Sequence, residues 1–101
     1  MSSPQYWLIG QGVLDYIDRF APDDVYDEFY DLIEVLMEFG PYPDDQPNLG
    51  ILPLQDPDKP NAFTAPFGDG LLAYQVTLDQ PAIKLVDVFW VGEGEGIDYA
   101  F

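Results

Sequence analysis

The chain has 101 residues, a length that fits one domain. It is 48% hydrophobic and 16% aromatic, too apolar to remain disordered, so one compact core rich in Phe, Tyr, Leu and Val is expected. Nineteen acidic residues stand against only Arg19, Lys59 and Lys84, a formal charge of −16. That balance excludes nucleic-acid binding by charge, which depends on Lys and Arg displacing counterions, and it disfavours anionic membranes.

Cysteine and histidine are both absent. Disulfides, thiolate chemistry, Ser-His-Asp catalysis and His-ligated zinc therefore fall away together. Met1 to Gln5 carries no basic leader and no apolar run approaches the ~18 residues of a membrane span. A cytoplasmic location is the default expectation.

Tyr6 to Ile9 is a short apolar run ending at Gly10, read as a first strand. Val13, Leu14, Ile17 and Phe20 then recur at helical spacing, predicting a helix over 11–20. Ala21-Pro22 interrupts it, because proline disfavours a helical residue before it and suits a first helical turn. A second helix is predicted over 23–39. Val25, Phe29, Leu32, Ile33, Leu36 and Met37 form one apolar stripe, acids crowd the N-terminal end where the helix dipole favours them, and Gly40-Pro41 stops it. The two helices are expected to form an antiparallel hairpin.

Residues 40–60 are rich in proline and aspartate and read as a long loop, with Ile51 to Leu54 confined by Pro53 to an edge strand. The period then changes. Asn61 to Phe67 is expected to pair through Gly68-Asp69-Gly70 with an alternating strand at Leu72 to Leu78. Ala82 to Val91 follows as a long apolar strand, expected to be central because both its faces are largely hydrophobic. Residues 1–91 thus make one α+β domain, a helical hairpin packed on an antiparallel sheet of three to five strands. Residues 92–101 are an acidic, glycine-rich tail.

This element order, with Ala21-Pro22-Asp23 in the hairpin, Leu49-Gly50-Ile51-Leu52-Pro53-Leu54, Gly68 to Val76 and Val86 to Trp90, resembles the bacterial RelE/ParE toxin superfamily over roughly residues 5–91. The resemblance implies that fold and a toxin–antitoxin setting. In the family the glycine-acid stretch leads to an arginine, an apolar pair and a tyrosine; here Tyr74 fits but Leu71 takes the arginine's place. The family's ribosome-dependent members cleave mRNA with basic residues on this sheet and near the end of its last strand. The matching end here is Phe89-Trp90-Val91, so no catalytic residue carries over and the resemblance is to a form stripped of its basic site.

The sharpest candidate site is the acidic helix. Seven acids and no base lie between Asp23 and Glu38, namely Asp23, Asp24, Asp27, Glu28, Asp31, Glu34 and Glu38. The like-charged pairs Asp23/Asp27, Asp24/Glu28, Asp27/Asp31 and Glu34/Glu38 are each four apart, at ~0.2–0.5 kcal/mol unfavourable per pair. Six stripe residues at ~1.5–3 kcal/mol each outweigh that on burial. Two explanations of the acids stand open: a docking face for a basic protein, or a generally acidic, salt-adapted surface. Leu71 and Trp90 on the sheet are candidate contacts for the same partner.

Other candidates are weaker. Asp56 to Asn61 spaces oxygen ligands loosely like a calcium loop but lacks the central glycine and the distal glutamate, so a solvated loop is expected and no metal site. Gly92 to Gly96 has no lysine and carries acids that repel phosphate. With so many acids, a carboxylate pair suited to a hydrolase carries no information. No cofactor is implied. The leading expectation is a non-enzymatic acidic binding protein on a basic protein partner, acting as an inhibitor or phosphate-charge mimic. The alternatives are a RelE/ParE-like toxin–antitoxin component of the protein-binding, gyrase-inhibiting kind, and a small hydrolase using a carboxylate pair.

Overall fold

The structure, a computed structural model, describes residues 6–55, 57–78 and 81–91. Strand β1 (Trp7–Ile9) leads into helices α1 (Gln11–Phe20) and α2 (Asp23–Phe39), and strands β2 (Leu52–Pro53), β3 (Ala62–Phe67), β4 (Gly70–Thr77) and β5 (Ala82–Trp90) follow. The strands form one sheet in the order β1-β5-β4-β3-β2. The α+β class and the helix spans agree with the sequence reading. The sheet is mixed, because β1 runs parallel to β5 while every other neighbouring pair is antiparallel.

The helix break at Ala21-Pro22 forms for the reason the dipeptide implies. Ala21 is extended, at ψ 135°, and its N–H still bonds to the Ile17 carbonyl. Pro22 precedes the first turn of α2, and its carbonyl accepts from the Tyr26 N–H. The hairpin is tied by the Tyr30 hydroxyl, which donates to Asp18 at 3.2 Å. Burial first, and the Asp18 carboxylate second, push that hydroxyl up to about 12.

One layer of side chains joins the hairpin to the sheet. Val25, Phe29, Leu32, Ile33 and Leu36 of α2 are buried, with Met37 half-buried beside them. They meet Ala65 and Phe67 of β3, Leu72, Tyr74 and Val76 of β4, and Ile83, Leu85, Val88 and Trp90 of β5. Phe29 and Phe67 pack edge to face at 5.8 Å. Helix α1 contributes less. Ile17 is fully buried, whereas Phe20, expected in the stripe, is exposed and stacks on Tyr16 at 5.0 Å.

The loop after α2 is organised by side chains rather than by strands. Gly40 ends the helix at φ 114°, where a side chain would also collide with Asp45. The Gln46 amide donates to the freed Gly40 carbonyl at 2.6 Å. Pro41 is buried, and the Tyr74 hydroxyl reaches across from β4 to donate to its carbonyl at 2.6 Å. That bond pins the loop to the middle of the sheet.

Strand β5 is interior, but not because both its faces are buried. Lys84, Asp87 and Phe89 are exposed on the face away from the helices. The strand alternates, and changes phase once: Ala73 pairs with Asp87 while Tyr74 pairs with Leu85, leaving Val86 as a bulge. Beyond Lys84 the outer edge of β5 has no strand neighbour among the described residues, and the Val88 N–H there is taken by the Asp87 carboxylate at 2.8 Å. The tail at 92–101 lies outside the described residues.

Two outcomes follow. Replacing Tyr74 by Phe leaves the Pro41 carbonyl without its partner and is expected to cost about 1–2 kcal/mol in urea unfolding. Burial raises the Tyr74 hydroxyl as it does that of Tyr30. Both groups therefore bind protons more tightly folded than unfolded. Their contribution is complete below pH ~10 and is lost as pH rises beyond it, so alkaline unfolding begins there and is less steep in a Tyr30→Phe/Tyr74→Phe variant.

Candidate functional site

Two surfaces remain once the core is assembled. The first is the outer face of α2. Because Val25, Phe29, Leu32, Ile33 and Leu36 face inward at helical spacing, the acids fall on the opposite side of the helix. Asp23, Asp24, Asp27, Asp31, Glu34 and Glu38 are all exposed, and Glu28 is half-buried beside the turn after β3. The first turn carries Asp23 and Asp24 and the last turn carries no base, so the dipole is complemented at one end only. The Asp24 carboxylate accepts from the Val25 N–H at 2.9 Å. The seven predicted residues thus lie along one helix as a continuous acidic ridge.

The second surface is the open face of the sheet. Register places Trp7 and Ile9 of β1 beside Ala82 and Lys84, Phe89 beside Leu71, Leu71 beside Pro66, and Leu52 beside Thr64. Trp7 is 71% exposed, Phe89 50% and Leu71 38%. Leu71 therefore lies where the sequence reading puts it. Trp90 does not: it is 7% exposed, on the helix side, with its ring 5.5 Å from Tyr16. The Val86 bulge reverses the phase of β5, so Phe89 faces outward and Trp90 inward.

The sequence carried a signal for that reversal. Lys84 and Asp87 are both charged and both need water, yet three residues apart on a regular strand they would face opposite ways. A bulge between them resolves the conflict. Lys84 is the one cation on this face; the chain's other two bases, Arg19 and Lys59, lie on α1 and in the loop before β3.

No group of three or more Asp or Glu residues among those described is placed to hold a metal ion. The Asp56 end of the loosely calcium-like stretch lies outside the described residues. The helices described include none long and apolar enough to cross a membrane. The open face carries exposed aromatic and aliphatic side chains, among them Trp7, Ile9, Leu71 and Phe89.

No protein-family model matches the sequence, and a search of curated proteins returns no match. Among solved structures, a chain of the archaeal RelE–RelB complex from Pyrococcus horikoshii OT3 superposes with a TM-score of 0.66 and 20% identity, over 88% of this chain and 98% of that one. The fold is RelE-like. At this level of identity the likeness is one of fold: a helical hairpin against one face of a five-stranded sheet, with the opposite face left open. On that open face the RelE-like frame here displays Leu71 and Phe89 with Lys84 alone for positive charge.

The ridge has an energetic signature that can be measured. Its like-charged pairs act at short range through water, so stability is expected to rise as salt goes from ~0.01 M to ~0.15 M and the Debye length falls from ~30 Å to ~8 Å. Asp31→Lys converts a repulsive contact with Asp27 into a favourable one. It is expected to raise stability by roughly 0.5–1 kcal/mol and to flatten the salt response in thermal melts.

Proposed function

We propose that this RelE-like domain is a non-enzymatic acidic binding protein that docks on a basic protein partner, as one component of a toxin–antitoxin-like pair. The observation that carries the reading is the ridge on α2. Six of its seven carboxylates are exposed, no base interrupts them, and the arrangement is unfavourable for the isolated helix. A basic partner converts that repulsion into attraction and accelerates encounter. The open face of the sheet supplies apolar area, through Trp7, Leu71 and Phe89, to hold what the charge attracts.

Three considerations support a protein partner over RNA. The net charge of −16 repels phosphate. The positions at which the resembled toxins carry bases hold Leu71, Phe89 and Trp90. The solved neighbour is a complex of RelE with RelB. Such a protein acts in the cytoplasm, by occupying a basic surface, and an acidic ridge on a nucleic-acid enzyme would block its substrate's place. A protein-binding toxin is the second reading, favoured by the RelE-like frame itself. The hydrolase reading gains no support, since with nineteen acids a carboxylate pair carries no information.

Capture of the partner from the native host at low and moderate salt tests the proposal. Binding is expected to weaken as salt rises. Asp27→Lys/Asp31→Lys/Glu34→Lys is expected to abolish it with stability equal or improved, while Asp15→Lys/Asp44→Lys/Asp69→Lys, outside the helix, weakens it far less. Equal loss in both triple variants would assign the effect to net charge and end the docking-helix reading. Separately, the purified protein is expected to leave ribosome-bound mRNA intact; cleavage abolished by mutating one acid would show an enzyme instead.

A further inference from the structure

Between α2 and the end of β3 runs a groove of about 310 Å³, open to solvent. Its floor is apolar, formed by Leu32, Leu49, Pro66 and Phe67, and its lip carries Glu28 and Asp31. Those two acids are three apart on the helix and so share one side of it. Gly68, in the turn between β3 and β4, lies at the end of the groove with φ 44°. A Cβ at that position would collide with the Glu28 carboxylate, which therefore rests directly over the turn's backbone. Packing fixes one of the two negative groups at the mouth of an apolar trough.

Opposite demands are made by floor and lip. A purely apolar ligand would cover the carboxylates without pairing them, at a cost in desolvation. An anion is repelled, and a hydrated metal ion gains nothing from the floor. What satisfies both is an apolar stem that ends in a cation. Arginine fits best: its methylenes lie along apolar surface, its weakly hydrated planar guanidinium stacks on flat groups, and its five donors serve two carboxylates at once.

We infer that this groove receives an arginine side chain of the basic protein partner, seated on Pro66 and Leu49 and held by Glu28 and Asp31. The inference rests on the docking role of α2 and gives that role a point of specificity, because Glu28 and Asp31 stand on the lip of an apolar floor. The helix then supplies long-range attraction, and the groove decides the register in which the partner sits.

The test needs no partner. A blocked leucine–arginine–leucine tripeptide is titrated into the full chain and followed by amide NMR shifts, beside the same peptide with citrulline, the neutral isostere of arginine. Shifts are expected to concentrate at Glu28, Asp31, Leu49 and Gly68, and to be absent with citrulline. Glu28→Gln/Asp31→Asn is expected to weaken binding about tenfold or more, whereas Asp23→Asn/Glu38→Gln, which removes the same charge elsewhere on the ridge, leaves it within about twofold. Equal losses in the two double variants, or shifts spread evenly along α2, would overturn the groove while leaving the helix as a docking face. Equal binding of the citrulline peptide would also overturn it, by showing an apolar trough without cation recognition. No shift anywhere on α2 would remove the groove and count against the helix as well.

Discussion

Everything in this molecule depends on a single apolar layer between the helical hairpin and one face of the sheet. Among the described residues no charged side chain is buried, so burial of apolar surface does most of the work of holding the fold together. It does so against a formal charge of −16 on a chain of 101 residues. The layer is built from large side chains, with Phe29, Leu72, Tyr74 and Ile83 fully enclosed. Their combined burial, at ~25 cal/mol per Å², dominates the few tenths of a kcal/mol lost at each like-charged pair.

That division of labour explains why the surface is free to be so acidic. Among the described residues no carboxylate is buried, so none of the three bases is needed to neutralise one there. In the loop after α2, neutral hydrogen bonds from Gln46 to Gly40 and from Tyr74 to Pro41 stand beside one from the Tyr42 N–H to the Asp45 carboxylate. Among the described residues, carboxylates enter the fold through surface bonds such as those to Tyr30 and Tyr42. Helix α2 presents the densest run of acids.

Much of this was legible in the chain. The apolar stripe of α2 sets its buried face, and the acids fall on the complementary face by the geometry of a helix alone. Ala21-Pro22 and Gly40-Pro41 act through local sterics, so their breaks could be placed without knowing the fold. Pro53 confines β2 to an edge because it has no N–H to give a neighbour. The orientation of β5 was less accessible. Its run of Val86 to Trp90 reads as apolar on both faces until the bulge is located, and only the conflict between Lys84 and Asp87 hints at it.

The sequence by itself therefore determined the helices, the acidic ridge and the absence of histidine and thiol chemistry, because each follows from residue type and short-range spacing. Tertiary structure decided what depends on distant segments meeting. It set β1 parallel to β5, turned Phe89 outward and Trp90 in, and drew Leu49, Pro66 and Gly68 up to Glu28 and Asp31. No periodicity encodes such a meeting of loop, strand end and helix; it exists only once the hairpin has settled on the sheet, when long-range packing fixes which faces remain in water.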